Sequence, residues 1–428
     1  MKTLSFGAFG PQVQLLQLAL ARAGYSPGAL DGQFGMVTQR ALRAFQRDGG
    51  LQADGIAGPR THRALTPWYI GYVNHKLRRG DSFYALARRY KTTVQAIAAA
   101  NPALDPLRLP VGASVKVPLD FDVVPTEIAW CSELVGFCCQ GIAARYPAVT
   151  SGSIGESVMG TPLCLLTLGQ GAQGVLYNAA HHANEWITTP LLLKFTETLA
   201  RAGAFDLEIF GKNARELLRN ASLAVVPCVN PDGMDLVTGA MRDGAFYDAA
   251  YAIAADYPGI AFPSGWKANI RGTDLNLQYP AGWERAREIK YAQGFISPAP
   301  RDYVGTAPLS APEALALYQF TLSYSPALTL SYHTQGCVIY WKYADYDPPG
   351  ALTIARAFSA ASSYAVEATP YASGFAGYKD WFIQNYDRPG YTIEAGLGDN
   401  PLPISEFDRI YGENLGILTL GLTAAQRL

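Results

Sequence analysis

GVLYNAAHHANEWITTP, residues Gly174 to Pro190, is the stretch on which the architecture of most of this chain turns. Its apolar start, Gly174 to Tyr177, reads as a buried strand, and the segment TTPLLLKFTETLARAG from Thr188 carries apolar residues at helical spacing. Between strand and helix stand His182 and Glu185. Three positions apart, they share one face of a turn, so both can reach a single metal ion. His181 is adjacent and points elsewhere.

The same alternation extends outward. From about residue 123 to the end, SLAVVPCV, ALTLSYHT and GYTIEAG read as further strands, with SAPEALALYQFTLSY as one of the helices between them. This predicts an α/β domain with a mostly parallel or mixed sheet flanked by helices, where active residues gather at strand ends. His182, Asn230, His333 and Glu394 all fall at such ends. A catalytic zinc takes three protein ligands and keeps a fourth position for water, and His182, Glu185 and His333 supply that set. A lone strand-end histidine is more often structural, but the chain has only five histidines, and two of them stand at strand ends with one in an HxxE.

Toward the N-terminus, DGQFGMVTQRAL from Asp31 is echoed by DGIAGPRTHRAL from Asp54. Each copy offers a Gly-rich turn, a Thr suited to an N-cap, and a helix, so residues 1–67 are expected to form a bundle of three short helices. The phrasing resembles the peptidoglycan-binding domain 1 family. Residues 68–119 read as strand, turn at Gly80-Asp81, helix from Ser82, helix from Thr93 and a closing strand after Gly112. Through GDS, IAAANP and LPVGASVKVP this βααβ unit resembles a LysM domain, which implies binding to N-acetylglucosamine-containing glycan. DFDVVPTEIA then reads as a linker to a domain over 120–428.

HHANEWITTP, VVPCVNPDGMDLV, NIRGTDLNLQYP, SYHTQG and GYTIEAG follow in the order found in zinc carboxypeptidases of the A and T type, and the domain resembles that family. The resemblance implies Zn2+ on His182, Glu185 and His333. It implies Glu394 as general base, Arg271 as the cation facing the oxyanion, and Asn276 and Tyr371 as substrate-binding residues. Members that remove C-terminal amino acids carry Asn-Arg where this chain has Asn276-Leu277, and leucine offers no donor to a carboxylate. With two wall-binding modules ahead of it, the domain is similar to the γ-D-glutamyl-L-diamino acid endopeptidases of that family, which cut peptidoglycan stem peptides between γ-D-glutamate and meso-diaminopimelate or lysine. The alternative is a carboxypeptidase that trims peptides. Arg388, six residues before Glu394, is the candidate to meet substrate carboxylates in place of the missing arginine.

Bulk composition narrows the partners. With 34 basic against 35 acidic residues, nothing steers the chain to nucleic acid or to an anionic membrane. The expected partner is peptidoglycan, as stem peptide and glycan. Six scattered cysteines in apolar runs read as buried thiols, not as a disulfide framework. MKTLSFGAFGPQVQ lacks the apolar segment of a secretion signal. The expected location is the cell wall, the spore or the exterior, with the cytoplasm as the remaining option.

Overall fold

The near-repeat of the first sixty residues is a repeated hydrogen-bond knot in the computed structural model, which describes residues 1–426. Three helices, α1 (Pro11–Arg22), α2 (Met36–Asp48) and α3 (Pro59–Ile70), carry it. Gln17 of α1 donates to Asp31 Oδ1 at 2.9 Å and Thr38 Oγ1 at 3.2 Å, and accepts from Gly32 N at 2.9 Å. Gln46 of α2 repeats the pattern on Asp54, Thr61 and Gly55 at 2.9, 3.2 and 2.9 Å. Both glutamines are 1% exposed, so each buried amide needs partners on both sides, and the two Asp-Gly turns supply them. The threonines are therefore not N-caps. The helices begin after Gly35 and Gly58, and Thr38 and Thr61 lie inside the first turn with their hydroxyls facing the glutamines.

The next unit matches its expected order. β1 (Tyr72–Lys76) and β2 (Ser114–Pro118) pair antiparallel around α4 (Phe83–Tyr90) and α5 (Val94–Ala100). Ser82 and Thr93 cap the two helices by accepting from Ala85 N at 3.1 Å and Ala96 N at 3.0 Å. Leu77, Phe83, Leu86, Ile97, Val115 and Val117 form the small core. The stretch expected to be a linker is packed instead, with Val123 and Ile128 both 0% exposed. After it, α6 (Ser132–Arg145) lies so close to the end of α3 that a β-carbon on Gly141 would meet Ile70 O at 2.3 Å. The first compact unit thus runs from Met1 to Thr150.

The second unit is built on an eight-stranded sheet. Its strands are β3 (Val149–Glu156), β4 (Pro162–Gly169), β5 (Gln173–Ala179), β8 (Ala221–Val226), β9 (Leu328–His333), β10 (Val338–Tyr340), β11 (Ala365–Glu367) and β12 (Gly390–Glu394). A separate hairpin holds β6 (Glu208–Ile209) and β7 (Lys212–Asn213). The sheet order is β11-β10-β12-β9-β5-β8-β4-β3. The four central strands β12, β9, β5 and β8 are parallel, and β10 and β4 run against them. Among the described residues nine helices accompany the sheet: α7 (Thr188–Phe205), α8 (Ala214–Asn220), α9 (Pro231–Thr238), α10 (Ala245–Ala255), α11 (Trp283–Ala292), α12 (Pro312–Tyr324), α13 (Ala351–Ser362), α14 (Tyr378–Tyr386) and α15 (Phe407–Ala425).

Alternation along β5 shows why helices cover both faces. Leu176 packs with Leu317 of α12 and with Tyr378, Trp381 and Phe382 of α14. Its neighbour Tyr177 faces the other way and donates its hydroxyl to Leu418 O of α15 at 2.8 Å. A β-carbon on Gly421 would meet that hydroxyl at 2.3 Å, so α15 crosses the sheet where it carries no side chain. All six cysteines are free thiols, four of them buried, in keeping with the sequence. No helix among the described residues is long and apolar enough to cross a membrane.

Candidate active site

Strand register brings the distant residues together. β12 and β9 pair so that Glu394 stands opposite His333, and β9 and β5 pair so that Tyr332 stands opposite Ala179. Beyond Ala179 the backbone turns at Ala180, φ 54°, and enters a 3-10 turn over Ala183–Glu185. Thr188 holds this turn, accepting from Ala180 N at 3.1 Å and donating to Glu185 O at 2.7 Å. Asn230, the N-cap of α9 four residues beyond β8, donates to His181 O at 3.1 Å and Ala268 O at 3.0 Å. It braces two loops and takes no place among the converging donors.

His182 Nδ1 lies 2.9 Å from Glu185 Oε1, His333 Nδ1 lies 2.9 Å from Glu185 Oε2, and the two Nδ1 atoms are 3.2 Å apart. The three ligand atoms fall within 4.8 Å of one another, and all three residues are buried. Outside them stand the groups that set the tautomers. Asp274 Oδ1 is 3.2 Å from His182 Nε2. Ser331 Oγ is 3.4 Å from His333 Nε2 and donates its own proton to Asn178 Oδ1 at 2.7 Å. With each Nε2–H directed outward, both Nδ1 lone pairs face the carboxylate, an arrangement that suits a divalent cation. Electrostatics agrees. Burial opposes a charge on His182, yet Glu185 outweighs it and pushes the imidazole up to about 9. Burial likewise opposes ionisation of Glu185, and His182, Lys267 and His333 hold it well below the usual carboxylate range. The donor set attracts positive charge, and it fits a metal ion.

These groups line a cleft of about 360 Å³ together with Lys267, Asn276, Leu277, Lys290, Arg301, Lys379 and Glu394. Glu394 is pushed up to about 8, first by burial and then by the charge of Glu185. Lys267 Nζ lies 3.3 Å from Glu185 Oε1. Its backbone is pinned here because Lys267 O accepts from Ala183 N at 3.0 Å. Lys379, 4% exposed, pairs with Asp380 at 2.5 Å. Asn276 lines the cleft as expected, its Oδ1 accepting from Tyr378 N at 3.0 Å.

Three expected residues are placed differently. Arg271 is not in the cleft; it lines a separate cavity of about 570 Å³ with Phe246, Ile270 and Tyr303. The cause is Asn269, whose Oδ1 accepts from both Arg271 N and Thr273 N at 3.1 Å and turns the loop so that the nearby cation at the donors is Lys267. Arg388 is not in the cleft either. Its Nη1 donates to Ser325 O at 3.0 Å and Pro326 O at 2.9 Å, because it precedes the first residue of β12 while Glu394 is the last. Tyr371 is 64% exposed on a 3-10 turn beside the cleft and accepts from Arg285 Nε at 3.0 Å. Its loop neighbours Thr369, Pro370 and Ser373 reach the cleft lining, and Tyr371 itself faces the adjacent smaller cavity. Sequence reading did not find Lys267, Asp274 or Arg301. The lysine directly after Trp266 and the TDLN phrase were the available signals.

Residues 138–415 match the zinc carboxypeptidase family, residues 9–65 a peptidoglycan binding domain and residues 75–118 the LysM domain. Gamma-D-glutamyl-L-diamino acid endopeptidase 1 of Lysinibacillus sphaericus is 44% identical over 282 residues, 66% of this chain and 69% of that protein. A spore cortex-lytic enzyme of Bacillus subtilis is 38% identical over 81 residues, 18% of this chain and 27% of that one. Among solved structures, carboxypeptidase A from Helicoverpa armigera has a TM-score of 0.55 at 18% identity, covering 97% of this chain and 95% of that chain, which is a likeness of fold.

Proposed function

The chain belongs to the zinc carboxypeptidase family, and from that premise we propose that it hydrolyses peptidoglycan stem peptides between γ-D-glutamate and meso-diaminopimelate or lysine. Residues 120–428 do the chemistry, and the modules over 1–67 and 68–119 hold the enzyme to the wall or spore peptidoglycan. The observation that carries the reading is Leu277. It is 8% exposed against Trp283, Ala286, Val304 and Ala376 at the cleft wall, so position 277 offers no guanidinium beside Asn276 to clamp a peptide's terminal carboxylate. The endopeptidase of Lysinibacillus sphaericus, at 44% identity, supports the same choice of bond.

In this reading one zinc ion is held by His182 Nδ1, Glu185 and His333 Nδ1. Bound there, zinc supplies Lewis acidity toward the scissile carbonyl and eases deprotonation of a water molecule. The remaining steps fall to side chains of the chain. Glu394 takes a proton from the attacking water and gives it to the leaving amine. Lys267 supplies the positive charge for the developing oxyanion, the role first expected of Arg271. Asp274 keeps His182 in the tautomer that directs Nδ1 inward, and Asn276 offers an amide to the substrate backbone.

Mass spectrometry of a disaccharide-free tetrapeptide stem after incubation with the zinc-loaded full-length protein tests this. The expected products are L-alanyl-γ-D-glutamate and a fragment that begins with the diamino acid. Release of the C-terminal residue alone would replace the reading with that of a carboxypeptidase.

A further inference from the structure

The cleft's cations are not all paired in the same way. Lys379 stands with Asp380 at 2.5 Å, and Lys267 with Glu185 at 3.3 Å. Asp302, by contrast, receives two cations: Lys290 Nζ at Oδ1 and Arg301 Nε at Oδ2, both at 2.6 Å. Lys290 is 9% exposed and its single contact already balances the carboxylate. Arg301 is the second cation on that carboxylate. It is 43% exposed, lines the cleft, and is anchored by Nε alone, so Nη1 and Nη2 carry no partner among the described residues. That end of a guanidinium is the edge that matches the two oxygens of a carboxylate.

Its position is built and not incidental. Asp302 adopts φ 63°, a left-handed conformation that a β-carbon disfavours, and its backbone N donates to Asp274 Oδ2 at 3.1 Å. Asp274 Oδ1 in turn contacts His182 Nε2 at 3.2 Å. Arg301 is therefore tied through two carboxylates to the imidazole of a proposed metal ligand, on the same wall of the cleft. Burial works against its charge, while Asp302, Asp274 and Glu185 outweigh burial and keep it a cation.

A γ-glutamyl bond differs from the peptide bond of an uncharged residue in one charge near the reacting carbonyl. The scissile carbonyl belongs to the glutamate side chain, so the α-carboxylate of that residue is free and stands only a few bonds away. An α-linked residue other than glutamate or aspartate has no carboxylate near that carbonyl, and an α-linked glutamate carries its peptide nitrogen on the carbon next to the reacting carbonyl instead of on the carbon that bears the carboxylate. We infer that Arg301 is a specificity-determining residue for the γ-linked glutamate, binding its free α-carboxylate through Nη1 and Nη2. The inference rests on the substrate proposed above and names the side chain that selects it. It also gives the cleft a carboxylate-binding arginine, although Leu277 has removed the one expected beside Asn276.

The test compares two soluble peptides, L-Ala-γ-D-Glu-meso-diaminopimelate and the same peptide with the glutamate α-carboxylate converted to a carboxamide. Wild type, Arg301→Gln and Arg301→Lys are assayed with zinc bound. Wild type is expected to favour the carboxylate peptide in kcat/KM by roughly ten- to a hundredfold, the scale of a charge-assisted hydrogen-bonded pair. Arg301→Gln should lose that preference, with kcat/KM falling far more on the carboxylate peptide than on the carboxamide peptide, while bound zinc by elemental analysis stays at the wild-type level, which shows that the loop and the zinc site are intact. Arg301→Lys should keep an intermediate preference. A wild-type preference retained in Arg301→Gln, equal loss on both peptides, or no preference in wild type would each overturn the role of Arg301. Wild type that cuts neither peptide at the γ-bond would instead overturn the proposed function itself.

Discussion

The glutamine knots of the first unit close over sequence separations of 8 to 21 residues. His182 meets Asp274 over 92 residues and His333 over 151. Both constellations are buried and polar, but they are built for different ends. Around Gln17 and Gln46 the groups are amides, hydroxyls, backbone and one carboxylate per knot, and each glutamine amide has its donors and acceptors matched. A saturated network can hold a fold and has nothing left to offer a ligand. In the cleft, two imidazole nitrogens face one another at 3.2 Å across a carboxylate, Glu394 is pushed up to about 8, and Nη1 and Nη2 of Arg301 have no partner among the described residues. Residual electrostatic demand of that kind marks a site that binds and reacts.

That contrast can be broken by removing cleft groups one at a time. The largest effect is expected from His182→Ala. It deletes one of three proposed metal donors, so bound zinc, measured by elemental analysis after dialysis, should fall to background and hydrolysis should vanish with it. Undiminished zinc would move the metal elsewhere. Glu394→Gln should separate the two functions of the cleft, keeping zinc but lowering kcat by at least about a hundredfold, the scale of a lost general base.

Next in size is the pair that tests the loop at Asn269. Lys267→Met should lower kcat by about a hundred- to a thousandfold, as for loss of an oxyanion-stabilising donor, while Arg271→Met should leave steady-state kinetics unchanged. The reverse result would return the role to Arg271 and mean that the loop rearranges on substrate binding. The smallest effect belongs to the other side of the comparison. Gln46→Ala should destabilise the first unit by about 1–3 kcal/mol, because Gly55 N and the Asp54 carboxylate lose a buried partner. Gln17→Ala should cost a similar amount, since its contacts are the same. Calorimetry of the full-length chain reads the shift, and kcat/KM on a soluble stem peptide should not move in either variant.

Much of this molecule could be read without coordinates where the governing contacts are local. The duplicated Asp-Gly turns, the capped helices after Ser82 and Thr93, and the strand-to-helix passage through His182 and Glu185 all depend on spacing within a turn or two. Alternation of apolar strands and helices was enough to imply the sheet, and the order of short motifs was enough to imply the three donors. Even locally, competition between partners could mislead: Thr38 and Thr61 have the chemistry of caps, but buried glutamines claim their hydroxyls.

The cations around the site were a different matter. Arg271 and Lys267 lie in the same short segment, and which of them faces the donors depends on a turn made by the Asn269 side chain and on the bond from Ala183 N to Lys267 O. Arg388 is near Glu394 along the chain, yet it sits before the opposite end of the strand, whose residues rise about 3.3 Å each, so the intervening strand carries it away from the cleft. Arg301 had no signal of its own, since its place follows from Asp302 bonding back to Asp274. Periodicity and spacing determine which residues share a turn or a face; only strand register and loop hydrogen bonds, closed over many tens of residues, decide which charged side chains arrive at the same point.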